Sequence, residues 1–209
     1  TSMKGLPKHV SGNFRIIGAS LQTLEYSPQI VEGGKVNYNF NRLLSVEGCL
    51  KSSNLDFSHN PTLETLEGLN VNNPEMRWLI ASNCSIKDYK GLPYRYEFNL
   101  ELNNNQLTTI EGLPAEYGQS LILSGNKIDN LQDIHRHVKK CKNICLRGNP
   151  IKYNILGLLK IEGLEKVQIF EEGSEVERII NNHLGERNIG IMRACKALIK
   201  ANFGELAYL

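Results

Sequence analysis

Four residues in one short stretch invite metal chemistry. His135-x-His137-x₃-Cys141-x₃-Cys145 gathers imidazoles and thiols at separations that tetrahedral zinc accepts. Against this, Cys145 falls inside a strand of a repeated pattern and the two histidines fall on the connection before it, so the four read as unrelated side chains. Other chemistry finds less support. No serine stands in a nucleophile-elbow motif, and the glycines at Gly12 and Gly33-Gly34 lack the Lys-Ser/Thr ending of a phosphate loop. Glu25, Glu47, Glu67 and Glu111 recur at one place in a repeat, as scaffold residues do. The expectation is a non-enzymatic protein with neither metal nor cofactor.

The elements that carry these residues come from an internal repeat. L-E-L-N-N-N-Q-L at 100–107, L-I-L-S-G-N-K-I at 121–128 and I-C-L-R-G-N-P-I at 144–151 share apolar residues at offsets 0, 2 and 7, with Asn at offset 5. The same frame fits 14–21, with Ala19 in the Asn slot, and 36–43. It fits 79–86 with Cys84 in that slot, and 55–63 with one inserted residue. A further apolar residue follows three positions later in most units, then Gly-Leu-Pro or a relic of it, as at Gly91-Leu92-Pro93 and Gly112-Leu113-Pro114. Offsets 0 and 2 share one face of a short strand, while offset 1 points the other way. The Asn amide can serve backbone groups left unpaired where the chain turns. Proline at the junctions argues for extended or 3₁₀ connections instead of long helices.

This pattern resembles leucine-rich repeats over residues 5–170. The short period and the Gly-Leu-Pro junctions are similar to those of bacterial and tailed-bacteriophage members. The resemblance implies an α/β repeat solenoid: a right-handed horseshoe of seven to eight coils, with a parallel β-sheet on its concave face and few full helices on its convex side. It also implies an accessory protein in the cytoplasm of an infected bacterium that blocks a host defence enzyme or toxin.

Strand positions that leave the core would line the concave face. The residues before offset 0 are Asn13, Lys35, Asn54, Trp78, Asn99, Ser120 and Asn143. Offset 1 carries Arg15, Asn37, Asp56, Ile80, Glu101, Ile122 and Cys145; offset 3 carries Ile17, Asn39, Ser58, Ser82, Asn103, Ser124 and Arg147. On this polar face Trp78, Ile80 and Ile122 stand out as hydrophobes, and Trp78 is the only tryptophan of the chain. Tryptophan is strongly enriched at interface hot spots, and apolar patches with polar rims mark interaction sites. The candidate site is therefore Trp78, Ile80 and Ile122, rimmed by Asp56, Glu101, Arg15 and Arg147, and its ligand a protein. The long connection through Asn70, Asn72, Asn73 and Pro74 could instead shift the register by one and pack Trp78 on a loop.

Composition agrees with a repeat protein. The 209 residues include 28 Leu and 23 Asn, the latter about one in nine against an ordinary share of roughly 4%. Net charge is +2, too balanced by itself to imply nucleic acid. No apolar run reaches the ~20 residues of a membrane helix, so no membrane partner is expected. The five cysteines fit free thiols in a reducing compartment. Residues 1–4 read as a tag remnant and flexible start, with Met3 as the natural initiator.

Beyond 170 the repeat decays. Ser174-x-x-Glu177 has capping-box spacing ahead of a helix over about 175–184, and a second helix spans about 189–202. Residues 171–209 read as a helical cap or appendage. Arg187, Arg193, Lys196 and Lys200 make it basic, so nucleic-acid binding by this helix and the Lys139-Lys140, Lys142 cluster is the alternative function. Oligomeric state stays open.

Overall fold

The structure is a computed structural model that describes residues 2–69 and 76–208. The connection through Asn70, Asn72, Asn73 and Pro74 lies outside the described residues. The chain forms a parallel-strand β-solenoid of about seven turns with few helices. In chain order the strands are β1 (His9–Val10), β2 (Phe14–Arg15), β3 (Ile30–Val31), β4 (Lys35–Asn37), β5 (Asn54–Asp56) and β6 (Trp78–Ile80). They continue as β7 (Arg95–Tyr96), β8 (Asn99–Glu101), β9 (Glu116–Tyr117), β10 (Ser120–Ile122), β11 (Asn143–Cys145) and β12 (Lys166–Gln168). One sheet holds eight strands in the order β2-β4-β5-β6-β8-β10-β11-β12, and two-stranded pairs β1-β3 and β7-β9 lie apart from it.

Every strand of the large sheet pairs in parallel with the matching position of its neighbour: Lys35, Asn54, Trp78, Asn99, Ser120, Asn143 and Lys166 form one row. The strand alternation follows the repeat. Leu55, Leu79, Leu100, Leu121 and Ile144 point into the core, as do the offset-2 residues Tyr38, Phe57, Leu102, Leu123 and Leu146. Offset 7 closes the core from the opposite side with Leu43, Leu63, Ile86, Leu107 and Ile128.

The offset-5 amides join the coils. The Asn126 Nδ2 donates to the Leu102 and Leu123 carbonyls at 2.9 Å each, and its Oδ1 accepts from the Leu107 N–H at 3.1 Å. Asn149 repeats the pattern one coil on, to Leu123, Leu146 and Ile128. These bonds satisfy buried backbone at each turn, where an unpaired group would cost about 1–3 kcal/mol. Cys84 makes the weaker version, its thiol 3.4 Å from the Phe57 carbonyl.

The recurring junction glycine has a backbone reason. Gly48, Gly68, Gly91 and Gly112 all have φ between +77° and +93°, a region that side chains disfavour. At Gly91 an added Cβ would also strike the Leu66 carbonyl. Gly91→Ala should therefore lose about 2 kcal/mol, read by urea denaturation; a loss under about 0.5 kcal/mol would contradict this account.

Outside the large sheet the described connections are turns and the short pairs β1-β3 and β7-β9, with a one-turn helix α1 (Ile134–His137) and a 3₁₀ segment at Ile155–Lys160. After β12 come α2 (Glu175–Asn182) and α3 (Arg187–Lys200), both ending two residues before the sequence places them. Ser174 caps α2 by accepting from the Glu177 N–H. Gly204 opens a short 3₁₀ turn.

Helix α2 lies along the exposed edge of β12. The Asn181 amide accepts from the Val167 N–H and donates to the Val167 carbonyl, both at 2.8 Å, as a next strand would. Glu177 accepts from the Ile169 N–H at 3.2 Å. The edge groups of the last strand thus find side-chain partners.

Candidate functional site

The sheet's outward face is built from alternate strand residues, and the in-register pairing aligns them. Trp78 faces Asn54 on one side and Asn99 on the other, so the long connection before it does not shift its strand. Arg15, Asp56, Trp78 and Ile80 come together around a hollow of about 180 Å³, with Lys35, Asn37 and Asn54 completing its walls. Trp78 is half-buried. Its ring lies 5.4 Å from that of Phe98, and the Lys35 Nζ sits 5.5 Å from its centroid.

The other anticipated residues lie farther along. Ile80, Glu101 and Ile122 form consecutive places in one row. Ile122 is therefore separated from Ile80 by the Glu101 carboxylate, about 10 Å away at ordinary strand spacing, and does not extend the Trp78 patch. Arg147 is held at the far end of the face by the cap: its Nη2 lies 3.1 Å from Glu177 and its Nη1 3.9 Å from Glu172.

Asp56 acts inside the face. Its Oδ1 accepts from the Ser58 N–H at 3.1 Å and the Ser58 hydroxyl at 2.8 Å. Its Oδ2 accepts from Asn39 at 2.8 Å and Asn37 at 3.4 Å. Four donors fill a carboxylate, so Asp56 braces the neighbouring amides.

Four contributors escape the candidates read from the sequence. Lys35, Asn37 and Asn54 stand in the outward rows but look like ordinary solvated residues until the register brings them to the hollow beside Trp78. Phe98 precedes its strand, where repeat offsets assign no role. A separate stack also forms three positions past the ends of β4 and β5: the Phe40 and His59 rings lie 4.1 Å apart at 6°. Both residues have φ near +58°, common for Gly or Asn and unusual for Phe.

The metal-like stretch does not converge. Cys141 is buried and its thiol donates to the Asn143 carbonyl at 3.1 Å, while Cys145 lies on the outward face against the Ser124 hydroxyl. His135 and His137 stay on α1. Among the described residues no three His, Cys, Asp or Glu side chains are grouped to hold a metal ion.

Burial separates the thiols. It pushes Cys49 and Cys141 up to about 12 and Cys84 up to about 11, so these three stay protonated and unreactive at neutral pH. Native alkylation at pH 8 should modify the half-exposed Cys145 and Cys195 first, with the other three following only on unfolding. Peptide mass mapping checks this, and equal labelling of all five would overturn it.

Away from the sheet face, a hollow of about 480 Å³ opens between the last coil and the C-terminal turn, lined by Ile151, Tyr153, Phe170, Val176, Phe203 and Leu206. The basic helix α3 buries Ile191, Ala194 and Leu198 and leaves Ile189, Met192 and Ile199 exposed among Arg193, Lys196 and Lys200. Among the described residues no helix is long and apolar enough to cross a membrane.

No protein-family model, curated protein or solved structure matches this chain.

Proposed function

We propose that this chain is a non-enzymatic binding module of the leucine-rich-repeat type that recognises another protein with the outward, concave face of its sheet. The observation that carries this reading is the half-exposed Trp78 beside Ile80, over a hollow, on a face whose other positions are mostly Asn, Ser and charged residues. The sheet offers a preorganised surface, because its coils are tied by buried amide bonds and little must be ordered on binding. By the resemblance of its repeats, we place the chain among phage accessory proteins whose partner is a host defence enzyme or toxin.

The test is affinity capture from bacterial lysate with mass-spectrometric identification. The wild type, a Trp78→Ala/Ile80→Ser variant and a nuclease-treated sample are compared. A hot-spot tryptophan contributes about 2 kcal/mol or more, so the double variant should lose at least tenfold of one specific protein. Capture that survives the double variant but vanishes with nuclease would transfer the function to the basic C-terminal helix and nucleic acid.

A further inference from the structure

We infer that the hollow beside Trp78 receives a carboxylate side chain of the partner, so that the segment docked on this face is acidic with an apolar residue next to the acid. The inference rests on the binding role proposed above and names the chemistry of what binds.

It starts from two cations. Arg15 and Lys35 both line the hollow and both are exposed. Among the described residues no carboxylate oxygen lies within 4.0 Å of either, whereas Arg77 is paired with Glu97 and Arg147 with Glu177 and Glu172. The one carboxylate in the hollow cannot serve them in its present bonds, because Asp56 already accepts from Ser58, Asn39 and Asn37. The hollow therefore keeps two unpaired positive groups above a bonded carboxylate.

The apolar half of the requirement comes from the same geometry. The Lys35 Nζ lies 5.5 Å from the Trp78 ring centroid. An acid paired with Lys35 thus stands close to the indole, and the residue beside it is within reach of Trp78 and Ile80 in the same hollow. Asn54 is held in the wall of the hollow, its Nδ2 donating to the Gly34 carbonyl at 2.9 Å and the Ser53 hydroxyl at 3.0 Å.

A polyanion suits the face less well. Phosphates would have to continue across neighbouring strands, where the same row offers Asp56 and Glu101. The next cation in that direction, Arg147, is already neutralised by the cap. A single carboxylate at the Arg15 and Lys35 side of the hollow meets one acid there, Asp56, whose oxygens are already hydrogen-bonded by Ser58, Asn39 and Asn37.

Because Trp78 is the only tryptophan, its emission reports this hollow directly. The probes are the capped tripeptides acetyl-Leu-Glu-Leu-amide, acetyl-Leu-Gln-Leu-amide and acetyl-Leu-Lys-Leu-amide, with a single-stranded oligonucleotide as the competing class. The Glu peptide should give a saturable change in emission. The Gln peptide should bind at least tenfold more weakly, and the Lys peptide not at all. Arg15→Ala/Lys35→Ala should weaken the Glu peptide at least tenfold; neither side chain supports the fold, and an unchanged circular dichroism spectrum would verify that. No saturable response to the Glu peptide, equal binding of Glu and Gln peptides, indifference to the double substitution, or a response confined to the oligonucleotide would each overturn the inference. If lysate capture depends on Trp78 while the peptides prove indifferent to charge, the acidic assignment falls and the binding role stands. If capture does not depend on Trp78, the binding role itself falls.

Discussion

Asn60→Ala should destabilise the solenoid by about 4 kcal/mol, with the backbone trace unchanged where the protein still folds. Asn60 is fully buried between two coils. Its Nδ2 donates to the Phe57 carbonyl at 2.7 Å and the Tyr38 carbonyl at 3.0 Å, and its Oδ1 accepts from the Leu43 N–H at 3.1 Å. Alanine leaves these three groups in a dry core. Each unsatisfied group costs about 1–3 kcal/mol, and the cavity prevents easy collapse around them. Cys84→Ala supplies the internal control: its thiol makes only long contacts, 3.4 Å to Phe57 and 3.7 Å to Ser82. Its loss should stay near 1 kcal/mol. Urea denaturation of both variants measures the difference. Equal losses would mean that the buried column serves by volume instead of by its hydrogen bonds.

Glu177→Ala should cost about 3 kcal/mol and make the protein prone to self-association. The substitution removes the partner of Arg147, whose side chain is only 28% exposed, and strips the acceptor from the Ile169 N–H. Leaving one member of a buried ion pair is more damaging than removing both. Glu177→Leu combined with Arg147→Met should therefore recover part of the loss, and a double-mutant cycle would isolate the coupling. Adding Asn181→Ala would leave the Val167 N–H and carbonyl without their side-chain partners. A strand edge opened in this way pairs with other chains, which light scattering would register. Glu177→Ala with unchanged stability and no association would show that α2 rests on the edge without sealing it.

Much of this architecture is legible in the sequence because period and alternation are properties of the chain itself. The strand positions follow from apolar offsets 0 and 2, and the buried amides from Asn41, Asn60, Asn105, Asn126 and Asn149 recurring at one offset. Ser174-x-x-Glu177 marks the start of α2 because capping is local. Arg147 is misleading for the opposite reason. Its strand position reads as open surface, yet its partner Glu177 lies 30 residues on, in a helix whose docking leaves no periodic trace. Asp56 reads as a free rim charge because hydrogen bonds from Asn39 and Ser58 depend on side-chain orientation. The Trp78 face lies between these cases: its row is readable, but the approach of Lys35 and Phe98 needs the register and the packing.

The in-register pairing also bears on how the chain finds its fold. Residues paired across the large sheet are 19 to 24 positions apart in sequence, coil after coil. No strand must search for a partner from a distant part of the chain. Loop-closure entropy is then paid in similar small steps, and a further coil would enlarge the core without raising the mean sequence separation of its contacts. A nascent chain can therefore add one coil at a time onto those already formed, burying each new strand as soon as roughly two dozen residues more have emerged.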